Sequence, residues 1–396
     1  GTTSCKNIII GNEAGYNLDS GRCNVIMGNQ AGCDITSGCN NVLFAYYAGT
    51  NLTSGSDNLA IGRCAMGSGV VTGNYNIAFG FNAGHTLTSG TQNVLIGCKA
   101  GQSLTSSAAL ANVFIGRGAG SSAETGCFSV AIGCGTLANM KGFGCNIAFG
   151  RRAGEMLCTG THNFFAGNYT AKFVLGSNNI AIGKYSMQCM TTATSNIALG
   201  DNALVGSSTT TSNTGDNNIA IGSNAAKIIS SGTYNIIFGN NAGCSITTSS
   251  YNVLLGRRAG AVTAGGYNIF FGRCAGYGGG STYNSSANIF IGENAGKCID
   301  TACYNLGLGE SAGKSLTSGD CNTLLGHRAG CNLTSGCSNV VIGRAVQVPV
   351  LTGNSQLAIG DGSNLWINGD SSFNVTLAGI ATVYSATGIV SATKFC

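Results

Sequence analysis

The chain of 396 residues is poor in charge, proline and histidine: charged residues make up 8% of it, and it has one proline and three histidines. An ordinary soluble protein carries about 25% charged residues. The shortage of charge excludes a charge-rich disordered chain. One proline beside 64 glycines excludes both collagen and polyproline. The net charge of +5, from 19 basic and 14 acidic residues, is too sparse over this length to indicate nucleic-acid binding.

Long hydrophobic runs are also missing. No apolar run approaches the roughly 20 residues that a membrane helix needs, so we predict no membrane insertion. No secretion signal is visible. Because the chain begins at Gly1 and not at Met, we expect a start that was processed or trimmed, and Phe395-Cys396 has the look of a cut end.

The chain is dominated by one repeated phrase: an anchor residue, nearly always Asn, three mostly apolar residues and a Gly. It reads NIIIG at Asn7–Gly11, NIAFG at Asn76–Gly80 and NVVIG at Asn339–Gly343. Twenty-one copies start at residues 7, 24, 41, 58, 76, 93, 112, 129, 146, 163, 179, 196, 218, 235, 252, 268, 288, 305, 322, 339 and 356. Fourteen of the twenty spacings are 17 residues, and a fixed period this short predicts a solenoid whose repeats pack on their neighbours.

The phrase itself predicts a strand. Its first and third apolar residues, such as Ile8 and Ile10, are nearly always large and β-branched or aromatic, which is typical of a strand with one buried face. Ala-Gly follows, and then a second short strand such as Leu52–Gly55. We therefore predict an all-β parallel β-solenoid (a β-roll) of about twenty-one coils over residues 1–344, with a C-terminal cap or transition segment at 345–396. At about 4.8 Å a step, the coils would form a rod of roughly 100 Å.

The middle apolar position of the phrase is predicted to face away from the coil interior. The large side chains at this position are Ile9, Ile26, Leu43, Leu95, Phe114, Phe165, Phe270, Phe290 and Val341. An exposed apolar stripe of that extent marks an interface, most simply self-association about a cyclic axis. The alternative is a flattened coil in which these residues form a second internal layer.

The phrase followed by two variable residues and Ala-Gly resembles the head repeats of trimeric autotransporter adhesins, which are left-handed β-rolls of three chains. It is more similar to the repeat arrays of tail fibres and related appendage proteins of tailed phages. The segment Gln356–Cys396 resembles the region that follows the repeats in such proteins from phages that infect marine cyanobacteria. The resemblance implies a left-handed homotrimeric fibre, exposed on the virion or outside the cell, that takes part in host attachment.

Candidate catalytic or metal-binding residues are few. His85, His162 and His327 fall in different coils without metal-ligand spacing, and we predict neither a metal nor a cofactor. Glu293 and Glu310, at equivalent sites one repeat apart, could stack as a glycosidase pair, and turn residues are the favoured interpretation. No nucleophile with its base can be assembled, so no enzyme is predicted.

Cysteine is unusually frequent, with 19 residues. Exposed virion and extracellular proteins can keep disulfides. Three pairs lie eighteen residues apart just ahead of successive anchors: Cys5 with Cys23, Cys127 with Cys145, and Cys303 with Cys321. We predict bridges between coils at these pairs, and the alternative is buried free thiols that fill space.

Basic residues gather in the turn after the Gly of each phrase. They are Arg63, Lys99, Arg117, Arg151, Arg152, Lys184, Arg257, Arg258, Arg273, Arg328 and Arg344. Stacking would join them, in particular Arg151, Arg152, Arg257, Arg258 and Arg328, into a stripe that could meet an anionic glycan of a host surface. A plain solvated turn is the alternative.

Together these observations predict a structural fibre protein of a virion: an elongated trimeric shaft that supports host-cell attachment. Its expected partners are further copies of itself, other virion or fibre proteins, and a host glycan or receptor. A bacterial surface adhesin or self-assembling extracellular filament is the second hypothesis. A fibre-borne polysaccharide-degrading enzyme is the third.

Overall fold

The computed structural model describes residues 6–105, 107–142, 144–207, 213–262, 265–278, 284–377, 381–383 and 390–392. The chain forms two compact units, Gly1–Asn196 and Ile197–Cys396. Within these described ranges both units consist of strands and turns, and no helix is present. Accordingly, the described residues include no helix that could cross a membrane.

The described part of the first unit has eleven strands, and each pairs in parallel with the next. They are β1 Ile8–Ile10, β2 Val25–Met27, β3 Val42–Phe44, β4 Leu59–Ile61, β5 Ile77–Phe79, β6 Val94–Ile96, β7 Val113–Ile115, β8 Val130–Ile132, β9 Ile147–Phe149, β10 Phe164–Ala166 and β11 Ile180–Ile182. The register places phrase over phrase, as where Ile8 pairs with Val25.

The second unit continues in the same way. Its strands are β12 Ile197–Leu199, β13 Ile219–Ile221, β14 Ile236–Phe238, β15 Val253–Leu255, β16 Ile269–Phe271, β17 Ile289–Ile291, β18 Leu306–Leu308, β19 Thr323–Leu325, β20 Val340–Ile342, β21 Leu357–Asp361, β22 Asn364–Gly369, β23 Val375–Leu377, β24 Ala381–Val383 and β25 Val390–Ala392. Strands β12 to β21 pair in parallel. All twenty-one phrases therefore form strands, and the predicted parallel β-solenoid with coils of about 17 residues is confirmed.

The strand direction changes within β21. Its first half still stacks in parallel on β20, since Val340 pairs with Leu357. Strands β21 to β25 are antiparallel to one another, with an irregularity between Ile359 and Gly360. The parallel coils thus extend past residue 344 into the segment that follows it.

Each coil has one strand and not the two that we predicted. The Leu-Thr-Ser-Gly segments form bends, and among the described residues only two isolated bridges occur there, Leu52 with Val71 and Thr91 with Leu110. The reason is that successive amides converge on one carbonyl: the N–H groups of residues 19, 20 and 21 all donate to the carbonyl of Thr36, at 3.0, 3.0 and 3.2 Å. A strand would send alternate groups to opposite sides.

The predicted orientation of the phrase is wrong. With the anchor as position 1 of a coil, positions 1 and 3 face the interior and positions 2 and 4 face outward. The large middle residues Ile26, Leu43, Leu95, Phe114, Phe165, Phe270, Phe290 and Val341 are 0% exposed. Only Ile9, in the first described coil, is exposed, at 42%. Alternation along a strand puts the middle residue on the same side as the anchor Asn, and that Asn is held inside by hydrogen bonds.

The anchor asparagines form a buried ladder. The Asn41 side-chain amide donates to the carbonyl of Gly55 in its own coil at 2.9 Å and to Oδ1 of Asn24 at 3.1 Å. The Asn41 backbone N–H donates to the same Oδ1 at 2.9 Å. The pattern recurs through both units, and it requires a side chain that both donates and accepts, which explains Asn. Gln356 takes over this role at the last phrase, donating to Oδ1 of Asn339 at 3.3 Å.

The coil interior has room for one large side chain at position 3 or position 9. Where position 3 is Phe, position 9 is usually Gly, because a Cβ at Gly276 or Gly296 would lie 2.3 or 2.5 Å from the ring of Phe270 or Phe290. Where position 3 is Ala, a large residue often fills position 9, as in Ala131 with Leu137. The alanines at position 8 and the leucine or isoleucine at position 12 complete this thin core.

Candidate functional site

The side chains of the strands that point away from the coil interior are nearly all apolar, and no layer of the described chain packs over them. In the first unit all 22 residues at positions 2 and 4 are apolar, and in the second unit Thr323 is the only polar residue among the 20 of β12 to β21. Several of these side chains are about half exposed: Phe44 at 50%, Phe79 at 52% and Phe271 at 55%. We call this surface, positions 2 and 4 of the strands in each unit, the outer face.

The size of the outer face distinguishes it from scattered surface hydrophobics. Eleven strands about 4.8 Å apart and three residues long, at about 3.3 Å per residue, cover roughly 520 Å² of flat area in the first unit alone. The largest apolar patch of a typical monomer spans about 300–600 Å² and is often functional. The predicted interface residues Ile26, Leu43, Leu95, Phe114, Phe165, Phe270, Phe290 and Val341 belong to the core instead. The candidate interface is therefore carried by the first and third apolar residues of the phrase, not by the middle one.

Aromatic residues that directly precede the anchor border the outer face. In the second unit the rings of Tyr234, Tyr251 and Tyr267 stack with centroids 5.2 and 5.0 Å apart and interplanar angles of 8° and 9°. They are exposed, although each has a left-handed backbone conformation with φ between 55° and 61°. Our sequence reasoning missed this ladder. The available signal was the repeated Tyr-Asn pair at the start of successive phrases.

The seventeen cysteines that the structure describes are free thiols. The predicted bridges of Cys127 with Cys145 and of Cys303 with Cys321 are not formed, and Cys5 lies outside the described residues. Members of a pair occupy different coil positions: Cys127 is at position 16 and Cys145 at position 17. Their backbones are adjacent, since the Cys145 N–H donates to the Cys127 carbonyl at 2.9 Å, but residue 144 is the one stacked on Cys127. Of these seventeen cysteines only Cys331 is buried, so the alternative prediction of a space-filling buried thiol fits Cys331 alone.

The basic residues of the turn do lie on the surface, at positions 6 and 7. Arg151, Arg257, Arg258 and Arg328 are exposed and Arg152 is half-buried. The guanidinium carbons of Arg151 and Arg152 lie 5.1 and 5.6 Å from the ring centre of Tyr169 in the next coil. Cation–π contact thus orders part of this turn surface, and the anionic-glycan stripe stays a prediction.

Glu293 and Glu310, two carboxylates at position 6, each contact a basic side chain of a neighbouring coil. Arg273 contacts Glu293, and its hydrogen bond lowers the pKa of that carboxyl. Glu310 Oε2 lies 3.7 Å from His327 Nε2. A glycosidase general acid requires a raised pKa, so the direction found at Glu293 disfavours that role. Glu293 and Glu310 are therefore better interpreted as turn residues than as a glycosidase pair.

In the ranges that the structure describes, no three His, Cys, Asp or Glu side chains are grouped closely enough to hold a metal ion. His85 contacts the Cys64 carbonyl through Nδ1 at 3.1 Å, and His162 contacts the Thr161 hydroxyl at 3.0 Å. No protein-family model matches the chain, and no curated protein matches it significantly.

Proposed function

We propose that this chain is a structural fibre protein of a virion, a trimeric shaft that supports host-cell attachment. The observation that carries the structural part is the outer face. Apolar side chains at positions 2 and 4 of nearly every coil remain partly exposed in the single chain, and several are about half exposed, although the coil's own core is complete. Copies that bury these faces on one another would remove the exposed hydrocarbon from water.

A trimer is the simplest closed arrangement that the resemblance of the repeats suggests. Three copies around a cyclic axis would each present the same face inward, so no copy would be left with an open apolar surface. The turn surface with its arginines would stay outside and available to a host glycan or receptor. The viral assignment rests on the resemblance of Gln356–Cys396 to the region that follows the repeats of phage fibres.

Immunogold electron microscopy of the source culture tests the assignment. Gold-labelled antibodies raised against the purified chain should decorate appendages of virus particles. Label on bacterial cell surfaces would contradict the viral assignment and favour the adhesin or filament. Oligosaccharides released when the chain is incubated with host polysaccharide would instead favour the fibre-borne enzyme.

A further inference from the structure

A groove crosses the turn surface of the first unit where two neighbouring coils have no side chain at position 7. In the twenty coils before the last phrase, Gly118 and Gly135 are the only glycines at this position. They are adjacent, with Lys99 in the coil before them and Arg152 in the coil after them. Position 10 is also small in the same two coils, with Ser121 and Ala138.

The fold does not require glycine at either place. Lys99 and Arg152 adopt the same left-handed conformation at position 7, with φ of 61° and 56° against 68° and 67° for the two glycines. A Cβ at Gly118 would meet nothing nearer than 3.9 Å, and one at Gly135 only the Arg152 side chain at 3.5 Å. The eighteen other coils before the last phrase all carry a side chain in this left-handed conformation, so the backbone does not demand glycine here.

The resulting groove has a volume of about 550 Å³, within the range of small-ligand sites. Its ends are about 14 Å apart, three coil steps from Lys99 to Arg152. Hydroxyl and amide groups line it beside the cations, namely those of Gln102, Ser103, Ser121 and Ser122.

The charge in the groove is positive and largely without carboxylate partners. Lys99, Arg117 and Arg152 face one carboxylate, Glu155, which is 3.5 Å from Arg152 and 3.5 Å from Lys172. In the described part of the chain, neither Lys99 nor Arg117 lies within salt-bridge distance of an acid. The Arg117 guanidinium donates to Cys134 Sγ at 3.6 Å. The equivalent surface of the second unit differs, since Arg273 is paired with Glu293 there.

We propose that this groove binds an acidic saccharide of one or two sugar rings that bear carboxylate or sulfate. The Arg117 guanidinium and the Lys99 ammonium contact the acid group, and the serine hydroxyls and the Gln102 amide bind the sugar hydroxyls. The lining contains no aromatic ring, so it lacks the stacking platform on which single-stranded nucleic acids depend. The groove lies on the turn side of the coil, away from the outer face, and the inference does not depend on the proposed fibre.

Calorimetric titration of the full chain tests the proposal with digalacturonate, lactose 6′-sulfate and unmodified lactose. We expect saturable binding of at least one acidic disaccharide and none of lactose. Arg117→Ala should weaken binding at least about tenfold, as expected for loss of a charged hydrogen bond. The double variant Gly118→Asn with Gly135→Asn should abolish binding and keep its circular dichroism spectrum, because Asn readily adopts this backbone conformation.

Lys227→Ala is the control, since Lys227 is an exposed cation at position 10 of a coil in the second unit, outside the groove. It should bind like the parent chain. The proposal is overturned if neither acidic disaccharide saturates, if the filled variant binds normally, or if Lys227→Ala loses as much affinity as Arg117→Ala. Tighter binding of lactose, hexaglutamate or an octathymidylate than of both acidic disaccharides would also overturn it.

Discussion

The two faces of the same three-residue strand differ sharply. On the inner face, the anchor asparagines are hydrogen-bonded, as Asn41 is through three donated bonds, and one large side chain or a pair of smaller ones fills the interior. On the outer face, equally apolar side chains have no covering layer in the single chain. The inner face accounts for how a coil stacks on its neighbour. The outer face has no role in that stacking, and its apolar character therefore points to a contact beyond the chain.

The largest loss of stability should come from removing a buried side chain on the inner face. Phe290→Ala removes a fully buried ring and should destabilise the second unit by about 3–5 kcal/mol. Phe271→Ala, half exposed on the outer face, is the control and should cost less than about 1 kcal/mol in the dissociated chain. The loss of stability in each variant can be measured by hydrogen exchange of the β16 and β17 amides at low protein concentration. Equal losses for the two variants would remove the distinction between the faces.

The asparagine ladder should give the next largest effect. Asn235→Ala deletes the acceptor of two bonds from Asn252, both at 3.0 Å, and the donor to the Ser249 carbonyl at 2.8 Å. Buried groups left without partners should destabilise the unit by about 2–4 kcal/mol. Asn240→Ala, at an exposed turn position, should change the stability little. Urea denaturation followed by circular dichroism compares them, and similar midpoints would argue against a structural role of the ladder.

The smallest effect should be a gain in stability at Ala45. This residue replaces the Gly of the phrase and has φ of +118°, a region that suits glycine. Ala45→Gly should therefore stabilise the first unit by about 1 kcal/mol, after the entropy cost of glycine is subtracted.

Ala48→Gly in the same coil is the control for this change. Ala48 is buried and does not have a positive φ, so its replacement should destabilise by about 1 kcal/mol. Thermal denaturation should show shifts of opposite sign. A loss of stability in Ala45→Gly would mean that no strain is relieved there.

The solenoid could be predicted from the sequence because its period and β-branched phrase are local signals. Which side of the strand faces the interior could not be predicted from hydrophobicity, because Ile8 and Ile10 are as apolar as the core residue Ile26. The deciding residue was Asn24, which is polar but lies inside, where its amide donates to the Gly38 carbonyl and accepts two bonds from Asn41. The groove was missed for a related reason: Gly118 and Gly135 matter by what they leave open, and only stacking brings Lys99, Arg117 and Arg152 around them.

Sedimentation equilibrium tests most directly whether the outer face is an interface between copies. The account predicts a mass of three chains, three times 39.7 kDa, for the unaltered protein. It predicts the mass of one chain for a variant with Phe44→Glu and Phe79→Glu, whose circular dichroism spectrum should be unchanged. A mass of 39.7 kDa for the unaltered protein at all concentrations, or an undiminished assembly in the variant, would contradict it.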